Sequence, residues 1–121
     1  MKLKVIATEA DAWEACLALW KRLSEIPSGK SHSSTTGFKN AVLHDLGYEE
    51  CAYGCPFCEF FGDFSSCGEC PLHMKFYGCY NTTYAYWHDN FDKDGHSQQF
   101  ARVFYEFLCT LKEKIEERKR E

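Results

Sequence analysis

The sequence has little of what marks several large classes of protein. It contains only 3 prolines in 121 residues, and its net charge is only −4. No apolar run approaches the roughly 18 residues that a transmembrane helix requires. With 17% aromatic residues, the composition excludes an intrinsically disordered chain. The mild acidic balance argues against nonspecific nucleic-acid binding, which depends on clustered lysine and arginine.

The first ten residues also lack the apolar stretch of a secretory signal. Their apolar run is Val5-Ile6-Ala7, whereas a signal peptide carries about 7–15 apolar residues. We therefore expect a cytoplasmic protein without a membrane partner. Thiols stay reduced in that compartment, so paired cysteines there indicate a metal site more often than a disulfide.

The chain is predicted to form a single domain, 1–121, that is mainly α. Apolar residues recur at helical spacing over 8–27, where Thr8 and Asp11 resemble a capping box and two tryptophans form part of the buried stripe. A second helix is expected from about 36 to 46, ended by Gly47. A third is expected over 97–119, with Ser97 as its N-cap. Residues 2–7 give a weak strand signal, and a turn is expected over 89–96.

What the sequence has in abundance is cysteine, with six of its eight cysteines in the segment 48–88. The pairs Cys55-Pro-Phe-Cys58 and Cys67-Gly-Glu-Cys70 are separated by eight residues. Two CxxC pairs can supply four thiolates at about 2.3 Å from one zinc ion in a tetrahedral structural site. We therefore predict a compact, loop-rich zinc knuckle at 48–88 around which two or three helices pack, with room for a small β-hairpin.

The ligand set is left open at three nearby positions. Cys51, Cys79 and His73 lie close enough in sequence to replace one of the four cysteines, and a site of Cys55, Cys58, Cys70 and Cys79 is one such alternative. Cys51, Cys55 and Cys58 also match the CxxxCxxC spacing of radical-SAM enzymes, although this chain is much shorter than the barrel of those enzymes. An iron–sulfur cluster held by thiolates is therefore a second hypothesis for the metal.

The same pattern gives no indication of an enzyme. Four thiolates fill a zinc coordination shell, whereas a catalytic zinc keeps a position open for water or substrate. The remaining histidines lack the spacing of a catalytic pair. We expect no catalytic residues and no small-molecule substrate.

Several ordered motifs resemble a group of small, uncharacterised cysteine-rich proteins encoded by tailed bacteriophages and prophages. They are the Ala-Trp-x-x-Cys-Leu-x-Leu-Trp segment at 12–20, the Cys-x-x-Cys-Pro-Leu segment at 67–72, and the aromatic tract ending at Trp87. Members of the group often carry Pro-Leu inside the first CxxC, where this chain has Pro-Phe. The resemblance implies a phage origin, a metal site and a bacterial host cell, and it names no reaction.

Three functions follow as hypotheses. The first is a zinc-stabilised protein-binding module that modulates or inhibits a host macromolecule, such as a CRISPR defence system, through the aromatics at 76–87. The second is a zinc protein that binds nucleic acid by stacking aromatic side chains on bases. The third is an iron–sulfur or thiol redox protein. The aromatics suited to stacking are Phe76, Tyr77, Tyr80 and Tyr84, with Lys75 for a phosphate.

Overall fold

The part of the protein that the structure describes is built mainly from helices. The structure is a computed structural model, and it describes residues 2–62, 70–72 and 79–120. The described helices are α1 (Glu9–Leu23), α2 (Thr35–Asp45), α3 (Pro56–Phe61), α4 (Tyr84–Asn90) and α5 (His96–Arg120). Single 3₁₀ turns lie at Ala52–Gly54 and Cys79–Asn81. The mainly α prediction is confirmed at this level.

The core forms where α1 packs against α2, α3 and α5, with α4 laid along α5. Trp20 of α1 lies at its centre and makes edge-to-face contacts with Tyr84, Trp87 and Phe104, at ring-centroid distances of 5.6, 4.8 and 4.7 Å. Trp13 makes a similar contact with Phe57 of α3 at 4.9 Å. Such aromatic pairs add about 0.5–1.5 kcal/mol each beyond the burial of their area.

The helix starts follow local sequence, with one exception. Thr8 and Asp11 form the predicted capping box, and α2 ends before Gly47, whose φ is +93°. Ser97, however, is not an N-cap, because α5 begins at His96 and places Ser97 inside the helix, fully buried. The predicted helix over 8–27 is shorter than expected and ends at Leu23, with Ser24 as its C-cap. After it the chain turns, and the Gly29 N–H donates to the Phe91 carbonyl at 2.7 Å.

The segment 48–88 is more helical than predicted. Its described part contains α3, both 3₁₀ turns and most of α4. No strand occurs in the residues that the structure describes, so the weak strand signal at 2–7 reduces to one parallel bridge between Lys4 and Tyr48. The turn expected over 89–96 is limited to residues 91–95, because Asp89 and Asn90 belong to α4 and His96 to α5. Within the described ranges no helix is long and apolar enough to cross a membrane.

Candidate metal centre

Thiols from three separate segments meet at one cavity of about 230 Å³. Cys16 comes from α1, Cys55 and Cys58 from the start of α3, and Cys79 from the second 3₁₀ turn. Segments distant in sequence thus place four cysteine side chains around one cavity. The other side chains that line it include Trp20, Lys39, Tyr53, Phe57, Leu72, Tyr84 and Phe104.

The loop before α3 is fixed by hydrogen bonds from two helices. The Asn40 side chain of α2 accepts from the Cys51 N–H at 2.9 Å and donates to the Cys51 carbonyl at 3.2 Å. The Glu59 carboxylate of α3 accepts from the Ala52 N–H at 2.9 Å. Pro56 occupies the first turn of α3, where its missing N–H is no loss. These contacts hold Cys55 at the start of the helix.

Gly54 allows this loop to approach α2 closely. Its φ is +65°, and a Cβ at this position would lie 2.8 Å from the Lys39 Cβ and 3.0 Å from the Thr36 carbonyl oxygen. The preceding residue, Tyr53, also has a left-handed backbone with φ of 56°. Only glycine combines this conformation with this distance at low cost. The glycine therefore brings Cys55 next to Lys39.

The thiols of the cluster differ in their ionisation. The Cys16 thiol, and after it the Cys58 thiol, donate hydrogen bonds to Cys55 and hold its pKa well below the ordinary value. The pKa of Cys16 is raised, first by burial and then by its bond to Cys55, and that of Cys58 is raised mainly by donating to Cys55. Burial raises the pKa of Cys79 to about 11. The arrangement therefore favours negative charge at Cys55.

The cysteines and histidine proposed from sequence, apart from Cys51, fall into three groups. Cys55 and Cys58 line the cavity together, and the alternative ligand Cys79 joins them. Cys70 is buried close enough for its charge to act on Cys16 and Cys58. Cys67 and His73 lie outside the described residues.

Cys51 is directed elsewhere. It does not line the cavity, and its Sγ lies 3.7 Å from the Glu49 carbonyl oxygen. Burial is the main cause that raises the pKa of Cys51 to about 12. Among the alternatives of the sequence analysis, the structure therefore brings Cys79 to the cluster and leaves Cys51 outside it.

Cys16 is the member of the cluster that the sequence did not indicate. It is 2% exposed and lies in the apolar stripe of α1, where a cysteine has the same pattern as any small core residue. Only its proximity to Cys55 in space distinguishes it. The seven described cysteines all carry thiols rather than disulfides. Within the described ranges, no group of three or more His, Cys, Asp or Glu side chains is arranged to hold a metal ion.

Several aromatics predicted to face a partner have other positions. Tyr84 is 6% exposed and Trp87 is fully buried, so neither can stack on a nucleic-acid base without opening the core. Phe76, Tyr77 and Lys75 lie outside the described residues. Tyr86, by contrast, is 61% exposed and stacks on Phe100 of α5 with ring centroids 5.8 Å apart.

Comparisons with protein-family models, with curated proteins and with solved structures find no match for this chain.

Proposed function

We propose that this chain is a metal-stabilised protein-binding module in which cysteine thiolates hold one zinc ion. The observation that carries the proposal is that Cys55, Cys58 and Cys79 line one cavity, with Cys70 buried close by. No three of the described ligands are arranged to hold an ion as they stand, so metal binding would draw these thiols together. These four cysteines are the alternative ligand set given in the sequence analysis: both cysteines of the first CxxC pair, together with Cys70 and Cys79. Cys67 is the further ligand candidate from the second CxxC.

A zinc ion would resolve an electrostatic conflict in this cluster. Without a metal ion, the cluster favours a thiolate at Cys55 and disfavours one at Cys58, whose pKa is raised first by its hydrogen bond to Cys55, then by burial and by the charge of Cys55. A divalent ion stabilises several thiolates at once, and structural zinc in small domains contributes roughly 10–16 kcal/mol of apparent binding energy. Zinc would thus fix α3, Cys70 and the Cys79 turn against one another.

The role of the module, in this proposal, is to bind a protein of a bacterial host or of a phage. An apolar surface supports it, formed by Tyr86, His96, Phe100 and Val103 and called here the Tyr86 surface. Tyr86 and His96 both stack on Phe100, and Val103 is 42% exposed one turn further along α5. Exposed tyrosine and aliphatic side chains gathered on one face are typical of protein interfaces.

Elemental analysis of the purified protein tests the metal. We expect one zinc per chain and no visible colour. Protein purified from a zinc-supplemented culture that contains neither zinc nor iron would overturn the metal centre.

A pulldown from bacterial lysate tests the binding role with two matched variants. Val103→Asp places a charge on the Tyr86 surface, and Val5→Asp places the same charge on another exposed valine, which is 55% exposed. We expect a stoichiometric partner that Val5→Asp retains and Val103→Asp loses. Equal recovery with both variants would remove the Tyr86 surface from the interface.

An iron–sulfur centre is the second candidate, and the cavity volume favours it. Liquid water occupies about 30 Å³ per molecule, so a cavity of about 230 Å³ can hold a guest larger than one ion. Iron–sulfur clusters take the same four thiolate ligands. Iron with acid-labile sulfide and a brown colour would assign the site to this class, and their absence would remove it.

A further inference from the structure

Lys39 of α2 is a lysine in the core. It is 3% exposed, and its Nζ donates to the Tyr84 hydroxyl at 2.7 Å. The same Nζ lies 4.8 Å from the centre of the Tyr84 ring and 6.0 Å from that of Trp87. A hydroxyl and two ring faces hold the ammonium in place, and neither supplies a full negative charge.

The ammonium has no carboxylate partner in the described part of the chain. None of the ion pairs found there includes Lys39. Burying a charge that is not paired is strongly unfavourable, so buried lysines are normally matched by an opposite charge. Burial lowers the pKa of Lys39, whereas negative charge on Cys55, Cys79, Cys58 or Cys16, which line the same cavity as Lys39, acts in the opposite direction and favours the ammonium.

We propose that Lys39, positioned by Tyr84, is the charge-balancing cation of the thiolate metal centre. Four thiolates around a divalent ion carry two net negative charges, and the same is true of four thiolates around a common form of iron–sulfur cluster. An ammonium within the same cavity offsets one of them. The inference rests on the proposed metal centre and adds to it the residue that makes an all-thiolate site tolerable in an apolar core.

Substitution at Lys39 separates this electrostatic role from a packing role. Lys39→Met keeps an unbranched apolar stem and removes the charge, whereas Lys39→Arg keeps the charge and enlarges the head group. If Lys39 acts by charge, arginine is the better replacement. If it only fills space, methionine is better.

The measurement is the affinity for Co²⁺, a coloured stand-in for zinc, determined by competition with a chelator in the full-length protein. We expect Lys39→Met to bind about 10–100-fold more weakly than wild type, as is typical when an outer-shell partner of a metal site is lost. Lys39→Arg should retain most of the affinity. Lys30→Met, at an exposed lysine that pairs with Asp94, is the control and should bind as wild type does.

Tyr84→Phe keeps the test decisive if Lys39→Met does not fold. It removes the hydroxyl that holds the Lys39 ammonium and keeps the ring in the core, and we expect weaker Co²⁺ binding than in wild type. Unchanged affinity in both Lys39→Met and Tyr84→Phe, or Lys39→Met binding better than Lys39→Arg, would overturn the role of Lys39 alone. Wild-type protein that binds no Co²⁺, Zn²⁺ or iron would instead overturn the metal centre on which it rests.

Discussion

At the scale of single residues, the serine hydroxyl has opposite effects on the stability of the fold at two positions. Ser34 is the N-cap of α2, and its hydroxyl accepts from the Gly37 N–H at 3.0 Å. Ser97 is fully buried in α5, and its Oγ has no hydrogen-bond partner among the described residues. A cap satisfies a backbone donor, whereas a buried hydroxyl without a partner costs free energy.

We predict that Ser97→Ala leaves the free energy of unfolding unchanged or raises it by up to about 1 kcal/mol, because alanine also favours the helix interior. Ser34→Ala should lower it by about 1 kcal/mol. Urea unfolding of both variants measures the pair. A loss in Ser97→Ala as large as that in Ser34→Ala would mean that the Ser97 hydroxyl has a partner.

Glycine substitutions give a second comparison at this scale. Gly54→Ala should destabilise the protein by about 2–4 kcal/mol, since it combines a left-handed backbone with a Cβ placed 2.8 Å from that of Lys39. Gly47→Ala has a positive φ of +93° but no atom within 4 Å, so only the backbone cost of roughly 1–2 kcal/mol applies. Thermal and urea unfolding test the difference. Equal losses would show that the Gly54 contact relaxes easily.

At the scale of elements, the start of α1 depends on an ionised carboxylate. The Asp11 side chain accepts from the N–H groups of Ala7 at 3.2 Å and Thr8 at 3.1 Å, while the Thr8 hydroxyl accepts from the Asp11 N–H. These bonds, with that from Ala7 first, lower the pKa of Asp11 below its ordinary 3.8. A carboxyl whose pKa is lower in the folded state stabilises the fold above its unfolded pKa, and this contribution is lost as the pH falls through the folded value.

We therefore predict that wild-type protein loses the contribution of Asp11 as the pH falls below about 4. Asp11→Asn should be less stable than wild type at neutral pH and should approach it in acid. Glu9→Gln removes a carboxylate from the same helical turn but leaves the capping box intact, so it should keep the wild-type acid dependence. Unfolding curves from pH 3 to 7 compare the three proteins, and a constant gap between Asp11→Asn and wild type would contradict the assignment.

Cys16 in α1 and Cys109 in α5 differ in burial, and serine substitution should therefore affect stability differently at the two positions. Because Cys16 and Cys109 both fall within predicted helices, the sequence alone predicts that serine is tolerated at each. The structure changes the expectation for Cys16, which is 2% exposed and contacts the Cys55 thiol. We now predict that Cys16→Ser costs about 1–3 kcal/mol by burying a hydroxyl. Cys109→Ser, at a half-buried site, should be nearly neutral in the same thermal melts.

At the scale of the whole molecule, the proposed metal joins segments that are far apart in sequence. Chelation should therefore lower the melting temperature of the entire protein rather than loosen one loop. Cys58→Ser should give insoluble protein or protein without metal, with Cys109→Ser as the matched control. Soluble Cys58→Ser protein that melts as wild type does would contradict the place of Cys58 in the site.

The sequence alone determined the features that depend on neighbours along the chain. The capping box at Thr8, the apolar stripe of α1 with its two tryptophans, the end of α2 at Gly47 and the long helix α5 all follow from spacings of a few residues. Each is set by backbone hydrogen bonding and by the period of the helix. These rules do not need the rest of the molecule.

Tertiary structure decided the features that depend on residues distant in sequence. Lys39 has the sequence pattern of an exposed lysine, yet α2 places it beside Tyr84, 45 residues away, and next to the thiols of three other segments. Cys16 and Ser97 likewise acquired their surroundings only when α1 and α5 packed. Burial and electrostatic pairing depend on which residues are close together in space. Local sequence patterns do not specify which residues distant along the chain will become neighbours.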